Sequence, residues 1–268
     1  MKKTIPQICR VINNRRLDTK GSYYELTLEL GHKTKKIFPG HFVHIKTGAG
    51  LDPFFRRAFS IAGVDSENRI SIIYKIVGKG TALLGQLQKD DTVDIIGPLG
   101  NFFSVPDKKQ TVVIAAGGVG LPPLLYFAEY LLSKKHPADK ILFFYGGRTK
   151  DDLLKRKEIK KLGIPFYPCT DDGSFGFHGL ITEAIEANLS KLECDKTSIY
   201  GCGPEPMLAA LQRLAMDHSL NGEISLEAPM PCGVGVCLGC IKPRLDKPNS
   251  YVRVCYEGPV FKIGEVKL

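Results

Sequence analysis

Most of the chemistry written into this 268-residue chain sits near its C-terminal end, in PMPCGVGVCLGCIKPRLDKPNSYVRVC. Cys232, Cys237, Cys240 and Cys255 follow the spacing C-x4-C-x2-C-x14-C. Thiolates are soft metal donors, and C-x4-C-x2-C…C is the plant-type ligand order of a [2Fe–2S] centre. Gly233, Gly235 and Gly239 lie among the cysteines; they permit tight turns that bring backbone N–H groups close to cluster sulfurs. A structural zinc ion also accepts four thiolates, but from two C-x2-4-C pairs separated by a loop. Here three cysteines fall within nine residues and the fourth stands apart. Disulfides need an oxidising compartment, and MKKTIPQICR has no apolar leader stretch behind it. The expectation is a chain that moves electrons in a reducing cytoplasm, where Cys9, Cys169, Cys194 and Cys202 are simply dispersed.

Two further groups of residues name carriers for those electrons. AAGGVGLPP follows an apolar strand and opens a helix. Gly117, Gly118 and Gly120 suit the close approach of a pyrophosphate at a helix N-terminus, and Pro122 and Pro123 suit a first helical turn. The pattern differs from GxGxxG and on its own is a weak signal that a tight turn also explains, but its place at a first β-to-α switch favours a dinucleotide. In YGCGPEPML, Cys202 directly follows another strand between Gly201 and Gly203. It is either a small buried hydrophobe or a thiol beside a nicotinamide ring. Upstream, RRAFSIAG places Arg57 and Ser60 where one neutralises phosphate and the other hydrogen-bonds a flat ring such as a flavin. Gly78, Gly80 and Thr81 precede TALLGQL and suit phosphate at its N-terminus. R-x-F-S alone is short enough to arise by chance, leaving Arg57 as a surface charge.

The elements that must position these groups fall into three grammars. Residues 1–105 read as antiparallel β. In SYYELTLEL, Tyr24, Leu26, Leu28 and Leu30 share one face, and RISIIYKIV repeats the pattern with Ile70, Ile72, Tyr74 and Ile76. HFVHIK, RAFSIAG and TVDIIG add short strands, a set expected to close as a barrel. Residues 106–222 alternate strand and helix: TVVIAA, LLYFAEYLL, ILFFYGG, the charged helix DDLLKRKEIKKL, IPFYPCT, LITEAIEANL, TSIYGC and PEPMLAALQRLAM. That alternation predicts a doubly wound parallel sheet. Residues 223–268 hold the cysteines and the strand candidates EISLE and YVRVC. The fold class expected is thus α+β multidomain, with barrel, α/β domain and small cluster domain in that order. The net charge of +9 is scattered, with no basic stripe interleaved with aromatics, so nucleic acid is not expected. No run of eighteen apolar residues appears, so no membrane span is expected. The histidines have no metal-ligand spacing, and His41 and His44 read as barrel residues.

In order along the chain, RAFS, GKGT, AGGVGLPP and CGPEPM resemble the motifs of ferredoxin–NADP reductase-type flavoproteins. The resemblance implies an FAD-binding barrel followed by a nicotinamide-binding α/β domain. DPFFRRAFSI, IYKIVGKGT, SLEAPMPCGVGVCLGC and RVCYEGPVF resemble one branch more closely, the electron-transfer subunits of NAD-dependent dihydroorotate dehydrogenase. That resemblance implies FAD, a [2Fe–2S] cluster and NAD as co-substrate. It also implies an FMN-containing TIM-barrel catalytic partner, two copies of each chain, and electrons passing from dihydroorotate through FMN, cluster and FAD to NAD+ in pyrimidine biosynthesis. No segment of this chain reads as that TIM barrel. By the same resemblance Arg57, Ala58, Phe59, Ser60, Tyr74, Lys75 and Ile76 line the flavin, Gly80 and Thr81 hold its pyrophosphate, and Gly117 to Gly120 face the nicotinamide nucleotide. Cys202 and Ser60 are the expected catalytic residues, while Glu227 either approaches the flavin or is a solvated strand end. The competing reading keeps these modules and changes the partner to a ferredoxin, sulfur or hydrogenase component. In CTDDGSFGFHG, Asp171 and Asp172 stand where relatives that use NADP carry Ser and Arg, which favours NAD with Asp172 on the ribose. Arg148 and Lys150 argue the other way, and Asp171–Gly173 is otherwise a plain turn.

Overall fold

The structure is a computed structural model and describes residues 6–32, 36–48, 50–190 and 192–268; the MKKTI of the expected leader-free start lies outside them. Strands β1 (Pro6–Arg16), β2 (Tyr23–Glu29), β3 (Phe42–Ile45), β4 (Arg57–Val64), β5 (Arg69–Lys75) and, after the short helix α1 (Lys79–Leu84), β6 (Thr92–Leu99) close a barrel in the order β1-β2-β5-β4-β3-β6. Every neighbouring pair is antiparallel. The period-two pattern sets the interior: Tyr24, Leu26, Leu28, Leu30, Ile70, Ile72 and Tyr74 form one apolar cluster with Val43, Ile45 and Ile61. The long β1, absent from the sequence reading, carries the same alternation in Gln7, Cys9 and Val11.

Strands β7 (Thr111–Gly117), β8 (Ile141–Gly147), β9 (Phe166–Thr170), β10 (Phe177–His178), β11 (Thr197–Cys202), β12 (Asn221–Ser225) and, farther along the chain, β15 (Val260–Lys262) make a seven-stranded sheet ordered β10-β9-β8-β7-β11-β12-β15. All its pairings are parallel except β12 with β15. Helices α2 (Leu121–Ser133) and α3 (Arg156–Lys161) pack through Leu124, Phe127 and Ile159 into one apolar cluster. Helices α4 (Ile181–Leu189) and α5 (Glu205–Asp217) pack through Ile185, Leu208 and Leu211 into another. The sheet is doubly wound, and its strand order reverses between β7 and β11, where ligands enter such folds.

The charged segment DDLLKRKEIKKL forms only a short helix. Thr149 caps a 3-10 turn at Lys150–Asp152, Leu153 and Leu154 are pulled into the core, and Lys155 takes a left-handed φ of 53° before α3 begins. The buried leucines and the backbone turn override helix propensity here.

The C-terminal segment is built into this frame through β12 and β15, with β13 (Ile241–Pro243) and β14 (Tyr251–Arg253) as a separate hairpin. Asn101, just past the barrel, donates from Nδ2 to the carbonyls of Glu257 and Val260, and its Oδ1 accepts from the Val260 N–H at 2.8 Å. A second tie joins barrel and α/β unit: Lys155 Nζ contacts both Glu25 oxygens at 2.9 Å, with side chains only 9% and 13% exposed. Burial would raise the Glu25 pKa, but Lys155 and Arg15 outweigh it and hold the carboxyl below its ordinary 4.5. Its stabilisation is therefore present above pH 4.5 and lost as pH falls through the depressed folded value. Glu25→Gln is expected to cost about 3 kcal/mol near pH 7 by leaving Lys155 poorly compensated. In thermal unfolding the gap from the natural protein should close as the pH drops below 4.5; a pH-independent gap would show that the ion pair is not its source.

Candidate functional site

At the C-terminal end, Gly233 and Gly235 adopt φ values of 70° and 79°, and the turns they allow aim backbone N–H groups at sulfur. Val234 and Cys237 donate to Cys232 Sγ at 3.5 Å, Gly235 to Cys255 Sγ at 3.2 Å, Gly239 to Cys237 Sγ at 3.4 Å, and Cys255 to Cys240 Sγ at 3.4 Å. Burial would raise the Cys232 pKa, but the N–H groups of Cys237, Val234 and Val236 and the Cys237 thiol bring it down to about 6. Burial, with Cys240 alongside, pushes Cys255 up to about 12.

The four thiols come as two pairs. Cys240 and Cys255 are 3.3 Å apart, and Cys232 hydrogen-bonds with the Cys237 thiol. Among the described residues no group of three His, Cys, Asp or Glu side chains is arranged around one ion. Two thiol pairs backed by N–H donors fit a binuclear iron–sulfur centre, each pair serving one iron.

The flavin motif divides by strand alternation. Phe59 packs with the barrel core and meets Tyr74 edge-on at 5.9 Å, while Ala58 packs outward with Cys240 and Cys255 in a shared apolar cluster. Ser60 is half-buried and pairs with Phe42 of β3. Tyr74 is 2% exposed, stacked on Tyr24, and donates to Asn14 Oδ1, so its ring is committed to the barrel interior. Lys75 lies over the Tyr23 ring, and Ile76 donates its N–H to the Ser22 carbonyl.

Thr81 ties the following turn together: its hydroxyl donates to Gly78 O at 3.0 Å and accepts from the Val77 N–H at 2.9 Å. Gly80 is hemmed in, since a Cβ there would lie 3.0 Å from Thr47 Oγ1 and 3.4 Å from Arg57 Nε. Thr47, which the sequence reading missed, is 5% exposed and its hydroxyl has no hydrogen-bond partner. An orphaned hydroxyl, a guanidinium and a glycine backbone converging on one spot fit a diphosphate. No motif marks Thr47; only closing the barrel brings it opposite Gly80.

The nicotinamide motifs meet at the strand-order reversal. A Cβ on Gly120 would lie 2.2 Å from Cys202 O, and one on Gly203 would lie 3.0 Å from Gly117 Cα. The two loops therefore touch backbone to backbone. Gly118, at φ 52°, has open space on its Cβ side, as a surface facing a pyrophosphate requires. The turn Gly118–Gly120 lies against β5, and the helix α2 that follows it lies against β4, so this segment packs on both strands that carry the expected flavin residues.

Cys202 is 1% exposed, and burial, with Glu227 nearby, raises its pKa well above 9.0, so the thiol stays protonated. Glu227 is open to solvent yet surrounded by protein, and that desolvation raises its carboxyl pKa, as in a cleft. Of the cations flanking the cluster loop, Arg244 is paired with Asp246 and Glu265, and Arg253 with Glu257.

This combination defines an FAD- and nicotinamide-dependent iron–sulfur oxidoreductase with the ferredoxin-reductase fold. Family models agree segment by segment: an oxidoreductase FAD-binding domain over residues 9–103, an oxidoreductase NAD-binding domain over 114–213, and the iron–sulfur cluster binding domain of dihydroorotate dehydrogenase B over 227–267. The chain belongs to the family of dihydroorotate dehydrogenase B (NAD(+)) electron transfer subunits. It is 40% identical to that subunit of Geobacillus kaustophilus, over 91% of this chain and 93% of the relative. It is 40% identical to the Caldanaerobacter subterraneus subsp. tengcongensis subunit over 96% of each. Among solved structures, that of an NADH-dependent reduced ferredoxin-NADP oxidoreductase superposes with a TM-score of 0.83 at 26% identity, over 100% of this chain and 91% of the other. A Neisseria gonorrhoeae ferredoxin NADP+ reductase with bound FAD and NADP shares the fold at 17% identity and a TM-score of 0.68, over 81% of this chain and 92% of the other.

The loops after β8 and β9 lie side by side: Asp172 donates its N–H to Arg148 O at 3.1 Å, and Lys150 donates its N–H to Ser174 Oγ at 2.8 Å. The Ser174 hydroxyl and N–H hold the Asp172 carboxyl below the usual carboxylate range. A fixed carboxylate repels a 2′-phosphate, so kcat/KM in dye reduction is expected to favour NADH over NADPH. Asp172→Ser should narrow that ratio roughly tenfold. Equal or reversed preference in the natural protein would defeat the assignment.

Proposed function

We propose that this chain is the electron-transfer half of an NAD-dependent dihydroorotate dehydrogenase in pyrimidine biosynthesis. It takes electrons from a catalytic subunit at its C-terminal end and delivers them to NAD+ at the carboxyl edge of its α/β sheet. The observation that carries the reading is the seating of the four-cysteine loop on β3, the ladder partner of the strand with the flavin motif, in a chain matching such subunits almost end to end. When bound, the cluster supplies one-electron exchange, and the flavin converts between single electrons and hydride.

The residue roles follow from position. Arg57 and Thr47 bind the flavin diphosphate over Gly80, with Thr81 holding the turn. Ala58, Phe59 and Ser60, with the backbone of Tyr74, Lys75 and Ile76, line the ring system. Gly117, Gly118 and Gly120 seat the nicotinamide nucleotide and Asp172 its ribose. Ser60 and the neutral Cys202 thiol flank the hydride path, and Glu227 lends the cleft a carboxyl that protonates more readily than usual. Cys232 and Cys237 would hold one iron, and Cys240 and Cys255 the other. The partner we infer is an FMN-containing TIM-barrel subunit, two copies of each chain forming the enzyme. No described helix is long and apolar enough to cross a membrane; the free state of the remaining cysteines supports a cytoplasmic setting.

The full-length likeness to a reduced ferredoxin-NADP oxidoreductase favours one second reading, with a ferredoxin as partner. One assay separates them. The tagged chain, isolated anaerobically with its bound partner, should reduce NAD+ with dihydroorotate, lose that activity when stripped, and regain it on reconstitution. A complex that oxidises NADH and reduces ferredoxin yet ignores dihydroorotate would replace the first reading with the second.

A further inference from the structure

His44 belongs to none of the motifs that define the site, yet it lies between two of them. It is fully buried on β3, where its partner across the ladder is Ala58 of the flavin motif. Val43 and Ile45 point into the barrel core, so alternation sends Phe42 and His44 outward, beneath the C-terminal segment. There the ring Nε2–H donates to Met230 O at 2.8 Å, two residues before Cys232. Nδ1 faces the next residue after that cysteine, since a Cβ on Gly233 would lie 2.6 Å from it.

The imidazole thus grips the chain on both sides of the first cluster ligand. Met230 O can only accept, so Nε2 carries a proton, and Nδ1 is left buried without a hydrogen-bond partner. Such orphaned atoms are rare and costly. An apolar side chain would fill this place without that cost, so the Met230 bond is what the ring contributes.

We propose that His44 is a positioning residue that fixes the cluster loop against the flavin-binding strand, setting the geometry around Cys232 and the ease of electron passage between the two. The inference rests on the electron-transfer reading above. The Val234 and Cys237 N–H groups reach Cys232 Sγ at 3.5 Å, so a small shift of the loop alters hydrogen bonding to that sulfur, which tunes a cluster's electronic state.

The test compares the natural full-length protein with His44→Gln, whose amide N–H can reach Met230 O, and His44→Met, which fills space without donating. Each is prepared anaerobically and assayed for FAD, iron and acid-labile sulfide. NADH-driven bleaching of flavin and cluster is then followed separately by stopped flow, and the reduced cluster is examined by electron paramagnetic resonance. His44→Met should shift the resonance and slow cluster reduction by about tenfold, with flavin bleaching unchanged, as loss of an outer-shell partner does. His44→Gln should restore both. Loss of iron from His44→Met alone would support the same role. A methionine variant matching the natural protein, or a glutamine variant as impaired as methionine, would overturn it. Natural protein that holds FAD but neither iron nor sulfide would overturn the electron-transfer reading itself, and the proposal with it.

Discussion

The structure depends on what the outer face of β3 and β4 must accommodate. Electron and hydride transfer both demand short distances, so three binding segments that are far apart in sequence have to meet around one strand. β4 carries the flavin motif, takes its ladder from β3 and β5, and is packed from outside by α2. Its Ala58 shares an apolar cluster with Phe42, Leu99, Cys240 and Cys255. A bulkier residue at 58 would push the cluster segment away from the barrel.

The cluster segment could not hold that position by itself. Its hairpin is short, and its loop runs through left-handed residues: Gly233, Gly235 and even Leu238 have φ between 59° and 79°. Its rigidity is borrowed. β12 and β15 extend the parallel sheet, Asn101 staples the barrel exit to Val260, and Arg253 donates to Gly235 O inside the loop at 3.0 Å. These ties let the loop keep its amides turned toward the sulfurs. Because the Cys240 thiol lies 3.3 Å from that of Cys255, bound iron is what would relieve the resistance of Cys255 to ionising.

Much of this was legible in the chain because the signals are local. Alternation in YYELTLEL and RISIIYKI states which side of a strand faces the core, and the barrel uses those faces. The GGVG and CGP turns announce close backbone approach, and the structure packs them against each other. What was not legible depends on contacts between distant residues. The Thr47 hydroxyl and the His44 ring acquire meaning only when Gly80 and Met230 arrive beside them. The phenol of Tyr74 turns inward because Asn14, sixty residues earlier, offers it an acceptor. The shortened α3 reflects two buried leucines that no helical pattern reveals. The antiparallel β15 follows from a chain that must come back to cover the sheet edge.

If this single chain brings its flavin, nicotinamide and cluster sites close enough to exchange electrons, NADH alone reduces both carriers without a partner. Anaerobic titration of the isolated, cofactor-loaded chain with NADH, read by visible absorption and electron paramagnetic resonance together, tests it most directly. NADH is expected to bleach the flavin, with the reduced-cluster resonance growing in step. A flavin that bleaches while the cluster stays oxidised, although dithionite reduces it, would show that the two sites do not exchange electrons within one chain.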